Sequence, residues 1–315
     1  MISKSPINTN GCSNHLAFTR NARTAWSNII NSFQTTKIAR VLLPSYIGYT
    51  DREGSGVFDP IKQASSLYEF YSLDDSLKID LEEFEKLIIE HDLNIALVIH
   101  YFGFCPNDMD MIHQICRKHN VILVEDCAHA FQFNSVHQRL GKYGDYSFYS
   151  IHKHIATSSG GILRINNEKI DLVSIETQDR APQDALEQLI RTDLDRVAEA
   201  RRRNYLLYER LLSPQPGFEP MYVLREKDVP QTFPIRVKNN EREKLYFHLM
   251  GKEMIVIALY YRLIDEIKIE LFPKSHLISQ EILNLPVHQD ITTEDIESIC
   301  WEVGNYFRTG KHEPI

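Results

Sequence analysis

The sequence predicts an α/β fold with a mostly parallel central sheet, helices on both faces of that sheet and a smaller C-terminal α+β domain. The first observation is a series of short apolar, β-branched runs at 39–43, 67–71, 95–99 and 121–125. The second is that helical spacings of apolar residues separate most of these runs, beginning near Asn21, Asp80 and Asp108. Strands that alternate with helices in this way form parallel sheets. The third is a separate set of elements beyond residue 212, with a strand at 231–237, a helix at 241–252 and a strand at 255–260.

Each of the remaining elements has a local signal. In the first helix, Ala25, Ile29 and Phe33 recur at helical spacing. Asp80 precedes the next helix and can accept hydrogen bonds from its free amides. Further strands are expected at 146–150 and 162–165, a long helix at 184–212, and a last helix at 293–307 that begins at a Thr292 or Thr293 cap.

A chain of 315 residues is long enough for two domains. The long helix is followed by Pro214, Pro216 and Gly217, residue types that end helices. We therefore place the boundary at this point, with a large domain at 1–212 and a small C-terminal domain at 213–315.

Charge and composition exclude several classes of protein. A net charge of −8 argues against nucleic-acid binding, and the basic cluster Arg201–Arg203 lies in the long helix, where a solvated face is expected. Five scattered cysteines indicate free thiols rather than disulfides or a metal site. The start of the chain lacks an apolar signal region, and the longest apolar runs are too short to span a membrane. The sequence therefore predicts a cytoplasmic protein.

Two titratable residues follow neighbouring strands. Asp126 comes directly after the run 121–125, and Lys153 comes after the run 146–150 and before Gly160 and Gly161. Ligands of open α/β sheets bind beyond the carboxyl ends of the strands. An acid and a lysine there suit pyridoxal 5'-phosphate, because the lysine forms a Schiff base and the acid keeps the pyridine nitrogen protonated. Alone, such an acid is usually a turn or cap residue, and the alternative for the lysine is a solvent-exposed position between two histidines.

The order of several motifs extends this pattern over most of the chain. The central block comprises 124–130, Gly144-Asp145, Ser150-Ile151-His152-Lys153 and Gly160-Gly161. Flanking matches lie at 21–26, 43–46, 100–103, 108–110 and 285–288. Together these motifs resemble the DegT/DnrJ/EryC1/StrS family of pyridoxal phosphate-dependent sugar aminotransferases. The resemblance implies a fold type I transferase architecture.

The resemblance also implies roles for individual residues. Lys153 would carry the cofactor and move the proton in the reaction, and Asp126 would pair with the pyridinium nitrogen. His129 would pack beside the cofactor ring or bond its phenolic oxygen. Ser150 would bind the phosphate together with the start of the first helix, at Ala22 and Arg23.

The implied activity is a two-stage transamination. L-glutamate would be the amino donor and a nucleotide-linked keto-sugar the acceptor. The resemblance further implies a homodimer with its sites at the subunit interface.

Three departures from the family pattern are visible. Ala22 and Arg23 replace a glycine and a threonine, so a hydroxyl is lost and a guanidinium gained. Gly48 stands where the family often has an aromatic residue that stacks on the cofactor, which leaves Tyr46 or Tyr49 as stacking candidates. The segment 177–182 lacks the Asn-Tyr-Arg sequence that reaches the partner subunit's site in the family.

Two alternatives are weighed against the aminotransferase. Sugar dehydratases of the same family have a histidine at the lysine position, and His152 and His154 flank Lys153. The spacing of Lys153 to Gly160 favours the aminotransferase. The other alternative is a binding protein that retains the fold without turnover.

Overall fold

The computed structural model describes residues 16–34, 38–130, 140–170, 175–212 and 217–309. The Pro214 and Pro216 break lies outside the described residues, so the division at 212 and 213 remains a prediction. Within these ranges no helix is both long and apolar enough to cross a membrane. The cysteines of the described segments, Cys105, Cys116, Cys127 and Cys300, are free thiols.

A seven-stranded sheet forms the centre of the described structure. In chain order its strands are β1 Leu16–Thr19, β2 Arg40–Pro44, β3 Leu67–Tyr71, β4 Ile95–Ile99, β5 Ile122–Cys127, β6 Tyr146–Ser150 and β7 Gly161–Ile165. Their order across the sheet is β1-β7-β6-β5-β4-β2-β3. Strands β2 to β6 are parallel to one another. At one edge β7 pairs antiparallel with both β6 and the edge strand β1. The predicted mostly parallel sheet is confirmed.

Helices follow most strands of this sheet and continue through the C-terminal part. Their bounds are α1 Ala22–Gln34, α2 Phe58–Gln63, α3 Leu81–Glu90, α4 Met109–Lys118, α5 Gln183–Arg191, α6 Leu194–Leu211, α7 Arg242–Gly251, α8 Pro273–Glu281 and α9 Thr293–Thr309. The predicted caps are present. The Asp80 carboxylate accepts from the amides of Glu82 and Glu83, and the Asp295 amide donates to the Thr292 hydroxyl.

A second sheet contains the strands β8 Phe218–Pro220, β9 Thr232–Val237 and β10 Ile282–Pro286. All its pairings are antiparallel, in the order β10-β9-β8. Helices α6, α7 and α8 pack against its strands. The expected strand at 231–237 and helix at 241–252 are confirmed within one residue at each end.

Two sequence predictions are wrong. The helix expected at 184–212 is two helices, because the Thr192 hydroxyl bonds back to the Gln188 carbonyl while Asp193 caps the next helix at the amide of Arg196. The strand expected at 255–260 does not form. Ile257 makes only an isolated bridge to Asn284, and Tyr260 has a left-handed backbone with φ of 59°. The apolar residues of this segment line a cavity instead of pairing in a sheet.

Candidate functional site

Two adjoining cavities lie beyond the carboxyl ends of β5 and β6. The inner cavity, of about 630 Å³, is lined by Ala22, Arg23, Asp126, Ser150 and Lys153. The outer cavity, of about 750 Å³, is lined by His129 and shares Arg23 and Lys153 with the inner one. The structure thus brings all six residues singled out in the sequence to one connected site. Parallel strands cause this, since their carboxyl ends lie at the same edge of the sheet.

Asp126 is held deep in the site by the register of the sheet. It is the penultimate residue of β5 and pairs with Ile99 on one side and Phe148 on the other. Its side chain is buried, and one carboxylate oxygen accepts from the Ala128 amide at 2.8 Å. Burial raises the pKa of Asp126, against the opposing effects of that hydrogen bond and of the nearby Lys153 and His100. A nearby cation therefore stabilises the charged form of this carboxylate more than it would stabilise a solvent-exposed carboxylate.

Lys153 lies on a turn directly after β6. The Ile151 carbonyl accepts from the amides of His154 and Ile155, both at 3.0 Å, and these bonds close the turn. The Lys153 side chain is partly buried and faces both cavities. Burial lowers the pKa of its amine, while the charges of Asp126 and Glu53 oppose that shift. A lowered pKa increases the neutral amine available as nucleophile and base near neutral pH.

His129 is fixed as a neutral ring. Its Nδ1 accepts from the Phe102 amide at 3.2 Å, and its ring stacks on that of Phe102 with centroids 6.1 Å apart. Burial, together with the charge of Lys153, lowers the pKa of His129 well below its ordinary value. Because Nδ1 is an acceptor, the proton of the neutral ring lies on Nε2, which is then a hydrogen-bond donor.

The start of α1 and the end of β6 form a cradle for an anion. The first amides of a helix have no partner within the helix, and the helix dipole favours negative charge there. Asn21 caps this end by accepting from the Thr24 amide at 2.9 Å. Ser150 lies beside it, buried at the end of β6. A Cβ on Gly161 would lie 2.4 Å from the Asn21 carbonyl carbon, so only glycine lets β7 approach the helix start.

A comparison with known protein families identifies the family to which this chain belongs. The sequence pattern of the DegT/DnrJ/EryC1/StrS aminotransferase family matches residues 69–177 and 185–304, most of the chain. The chain belongs to this family. The resemblance noted in the sequence is thereby confirmed.

Relatives and solved structures agree with this assignment. GDP-perosamine synthase of Vibrio cholerae is 23% identical over 78% of this chain and 76% of its own length. A UDP-4-amino-4,6-dideoxy-N-acetyl-beta-L-altrosamine transaminase of Campylobacter jejuni is 28% identical over 34% of this chain. That match and two others span 29%, 25% and 22% of the relatives' own lengths. The structure of Helicobacter pylori PseC, an aminotransferase, aligns with a TM-score of 0.75 and 17% identity over 94% of this chain and 87% of PseC, which shows the same fold.

Behind the site of this DegT-family chain lies a buried polar cluster of His100, Glu125 and Cys127, whose potential ligand atoms lie within 4.8 Å of one another. Both Glu125 oxygens already accept two hydrogen bonds each. The amides of Tyr143 and Gly144 donate to one, and the Gly141 amide and the His100 ring bond the other, all at 2.7–2.8 Å. A carboxylate offers about four acceptor positions. Hydrogen bonding therefore accounts for this cluster, which anchors the loop before β6.

Tyr260 is a site residue that the sequence did not reveal. Its ring fills the space beside Gly48, where an added Cβ would lie 2.4 Å from Tyr260 Cδ1. Tyr260 lines both cavities, and its ring centroid is 5.8 Å from that of His129. Of the two stacking candidates, Tyr49 lines the outer cavity, and Tyr46 is buried behind Tyr260. The feature of the sequence that could have indicated this ring is Gly48, because a glycine leaves room for a neighbouring aromatic side chain.

Arg201 corrects a further expectation from the sequence. The cluster 201–203 was expected on a solvated helix face, but Arg201 is only 2% exposed and donates to the Lys153 carbonyl at 3.3 Å. Arg203 is exposed, as expected. Helical spacing could have predicted that Arg201 is buried. It stands three residues after Ala198 and four before Tyr205, and both of these are buried on the same face of α6.

Proposed function

We propose that this protein is a pyridoxal phosphate-dependent aminotransferase that transfers an amino group from L-glutamate to a nucleotide-linked keto-sugar. The observation that carries the proposal is that a buried acid, Asp126, and a desolvated amine, Lys153, line the same cavity. Perturbed titratable groups in a cleft are typical of catalytic sites. Membership of the DegT/DnrJ/EryC1/StrS aminotransferase family supports the same function.

The residues present fit the cofactor at each of its polar groups. Asp126 supplies a buried anion for the pyridinium nitrogen, and Lys153 supplies the amine for the aldehyde carbon. Ser150 and the helix start at Ala22 and Arg23 supply donors for the phosphate. His129, as an Nε2 donor, suits the phenolic oxygen. When bound, pyridoxal phosphate supplies an electron sink for the carbanion at the donor's α-carbon.

The protein's own contribution is proton transfer and exclusion of water. With the cofactor bound, the Lys153 amine would be the group that accepts the proton from the α-carbon of the donor and donates one in return. Its lowered pKa suits both directions of this transfer. Asp126 would hold the proton of the pyridine nitrogen, and the aromatic rings of Phe102 and Tyr260 pack around His129 at this side of the site.

The outer cavity is the proposed site of the donor and acceptor. It opens from Lys153 and is lined by Arg23 and Arg242, cations suited to a carboxylate or a diphosphate, together with several aromatic side chains. Among the relatives, the names GDP-perosamine synthase and UDP-4-amino-4-deoxy-L-arabinose–oxoglutarate aminotransferase indicate nucleotide-linked sugars and a glutamate-derived keto acid. These names support both halves of the proposed reaction.

We also propose a homodimer. Several apolar side chains near the outer cavity are about half exposed or more in the single chain: Phe247, Ile255, Ile257 and Tyr261. An apolar patch of this kind beside a site marks an interface. Light scattering coupled to size-exclusion chromatography tests this, and a strictly monomeric protein would contradict it.

The test of the function is borohydride reduction of the protein loaded with pyridoxal phosphate, followed by peptide mapping. We expect a yellow protein and a pyridoxyl group on Lys153. A label on another lysine, or a colourless protein that binds no cofactor, would reject the proposal. Product analysis with a keto-sugar and glutamate separates amino transfer from the dehydratase alternative, which would release a deoxygenated sugar.

A further inference from the structure

Arg201 is a buried cation whose described hydrogen-bond acceptors are all backbone carbonyls. One guanidinium nitrogen, Nη2, donates to the Lys153 carbonyl at 3.3 Å. The other, Nη1, donates to the Gln231 carbonyl at 3.1 Å and to the Pro230 carbonyl at 3.5 Å. Burial lowers the pKa of Arg201 to about 10, so the group remains charged at neutral pH. Removing a guanidinium from water is costly, and the charge of Asp290 offsets that cost only in part, because burial still lowers the pKa of Arg201. Packing alone would be served better by an apolar side chain, so the charge calls for a specific explanation.

What the guanidinium holds is the turn that carries Lys153. A buried carbonyl in a turn needs a donor, because neither a helix nor a strand supplies one there. The next carbonyl along, that of His154, is held in the same way by the side-chain amide of Gln289 at 3.0 Å. Two successive carbonyls of this turn are therefore bound by side chains from α6 and from the segment after β10.

The second branch of the guanidinium leads toward His129. The Gln231 amide donates to the Phe102 carbonyl at 2.8 Å, and the Phe102 amide donates to His129 Nδ1. Arg201 thus joins the turn of Lys153 to the backbone that orients His129. The planar fork of arginine binds two acceptors in a fixed geometry, which the single ammonium of lysine does not.

We propose that Arg201 is a positioning residue that fixes the Lys153 turn relative to His129 in the site. This inference rests on the proposed function for its catalytic consequence, but the geometry it describes belongs to the protein without cofactor. Displacing a reacting group by about 1 Å can lower a rate by about 10²-fold. We expect a loss of that size when the fork is removed.

The test compares Arg201→Met with Arg203→Met, a matched change two residues away at an exposed position of the same helix. The first readout is the rate at which Lys153 captures added pyridoxal phosphate, followed by absorbance. We expect a decrease of about 10²-fold for Arg201→Met and none for Arg203→Met. The second readout is the pH midpoint for trinitrophenylation of Lys153 in cofactor-free protein. It should move upward in Arg201→Met, because a released turn exposes the amine to water.

Arg201→Lys is included in case Arg201→Met does not fold. It retains the charge but not the fork, so we expect a smaller loss of capture rate than in Arg201→Met. Folded Arg201 variants that match Arg203→Met in both readouts would overturn the proposal. A wild-type protein that captures no cofactor would reject the proposed function instead, and the trinitrophenylation midpoints would still decide whether Arg201 positions Lys153.

Discussion

The inner and outer cavities share Lys153 but are built from different kinds of structure. The inner cavity lies at regular strand ends and at the start of α1, where backbone hydrogen bonds set the position of each side chain. The outer cavity is lined by irregular chain at 256–261 and by residues of α7. Sites on regular elements are held more precisely than sites on loops. We therefore expect substitutions in the inner cavity to affect the amino-transfer chemistry and substitutions in the outer cavity to affect the choice of acceptor.

Replacing Lys153, one of the residues that line both cavities, should have the largest effect. In Lys153→Ala we expect amino transfer from glutamate to fall by about four orders of magnitude, the upper range for a lost acid–base group. The comparison variant is His152→Ala, a neighbour on the same turn whose Nδ1 lies 3.2 Å from the Ser150 hydroxyl, and it should lose much less activity than Lys153→Ala. Stopped-flow absorbance of the half-reaction measures both. Activity that survives in Lys153→Ala and disappears in His152→Ala would favour the dehydratase alternative.

A change confined to the inner cavity should be the next largest. Asp126→Asn preserves the size of the side chain but removes the charge that holds the pyridine proton. We expect the cofactor to remain bound and amino transfer to fall by about two to four orders of magnitude. Steady-state kinetics with the absorbance of bound cofactor as reference measures this. Turnover near the wild-type value would show that another group meets the nitrogen.

The acids of the two cavities should act unequally on the pKa of Lys153. Burial lowers that pKa, and Asp126 and Glu53 oppose the shift in that order. Removing either charge takes away stabilisation of the ammonium, so Asp126→Asn and Glu53→Gln should both move the pH midpoint of Lys153 trinitrophenylation downward. The buried acid should give the larger shift, because water screens the exposed Glu53. An upward shift in either variant would contradict the assigned sign.

The boundary between the cavities should respond to added volume. Gly48→Ala places a methyl group 2.4 Å from the Tyr260 ring, and we expect a loss of about 1–3 kcal/mol in the free energy of unfolding. In Gly56→Ala the new methyl meets only Arg23 Nε at 3.9 Å, so this control should be nearly neutral. Urea titration measures both. If Tyr260 is the cause, Tyr260→Ala should relieve the cost of Gly48→Ala, and equal costs in both backgrounds would refute that contact.

Local patterns in the sequence determined the strands of the parallel sheet, most of the helix caps and the placement of Asp126, Ser150 and Lys153. These features depend on short-range chemistry. A β-branched run between turn residues forms a buried strand, an aspartate before a helix caps it, and residues that follow parallel strands meet at one edge. Asp126 and Lys153 were predictable for this reason, whereas His129, Ser150, Ala22 and Arg23 were singled out by the resemblance to the family.

The tertiary structure decided the features that depend on distant contacts. The helical period places Arg201 on a face of α6, but only the folded chain shows that the Lys153 turn, 48 residues earlier, covers that face. The segment 255–260 has the composition of a strand, yet it pairs with β10 only at the isolated bridge of Ile257 to Asn284, and its residues line a cavity instead. Likewise, Gly48 leaves a space that Tyr260 occupies from more than two hundred residues away. The periodicity of a sequence predicts which side chains lie on the same face of a helix or strand. Which other segment packs against that face depends on tertiary packing.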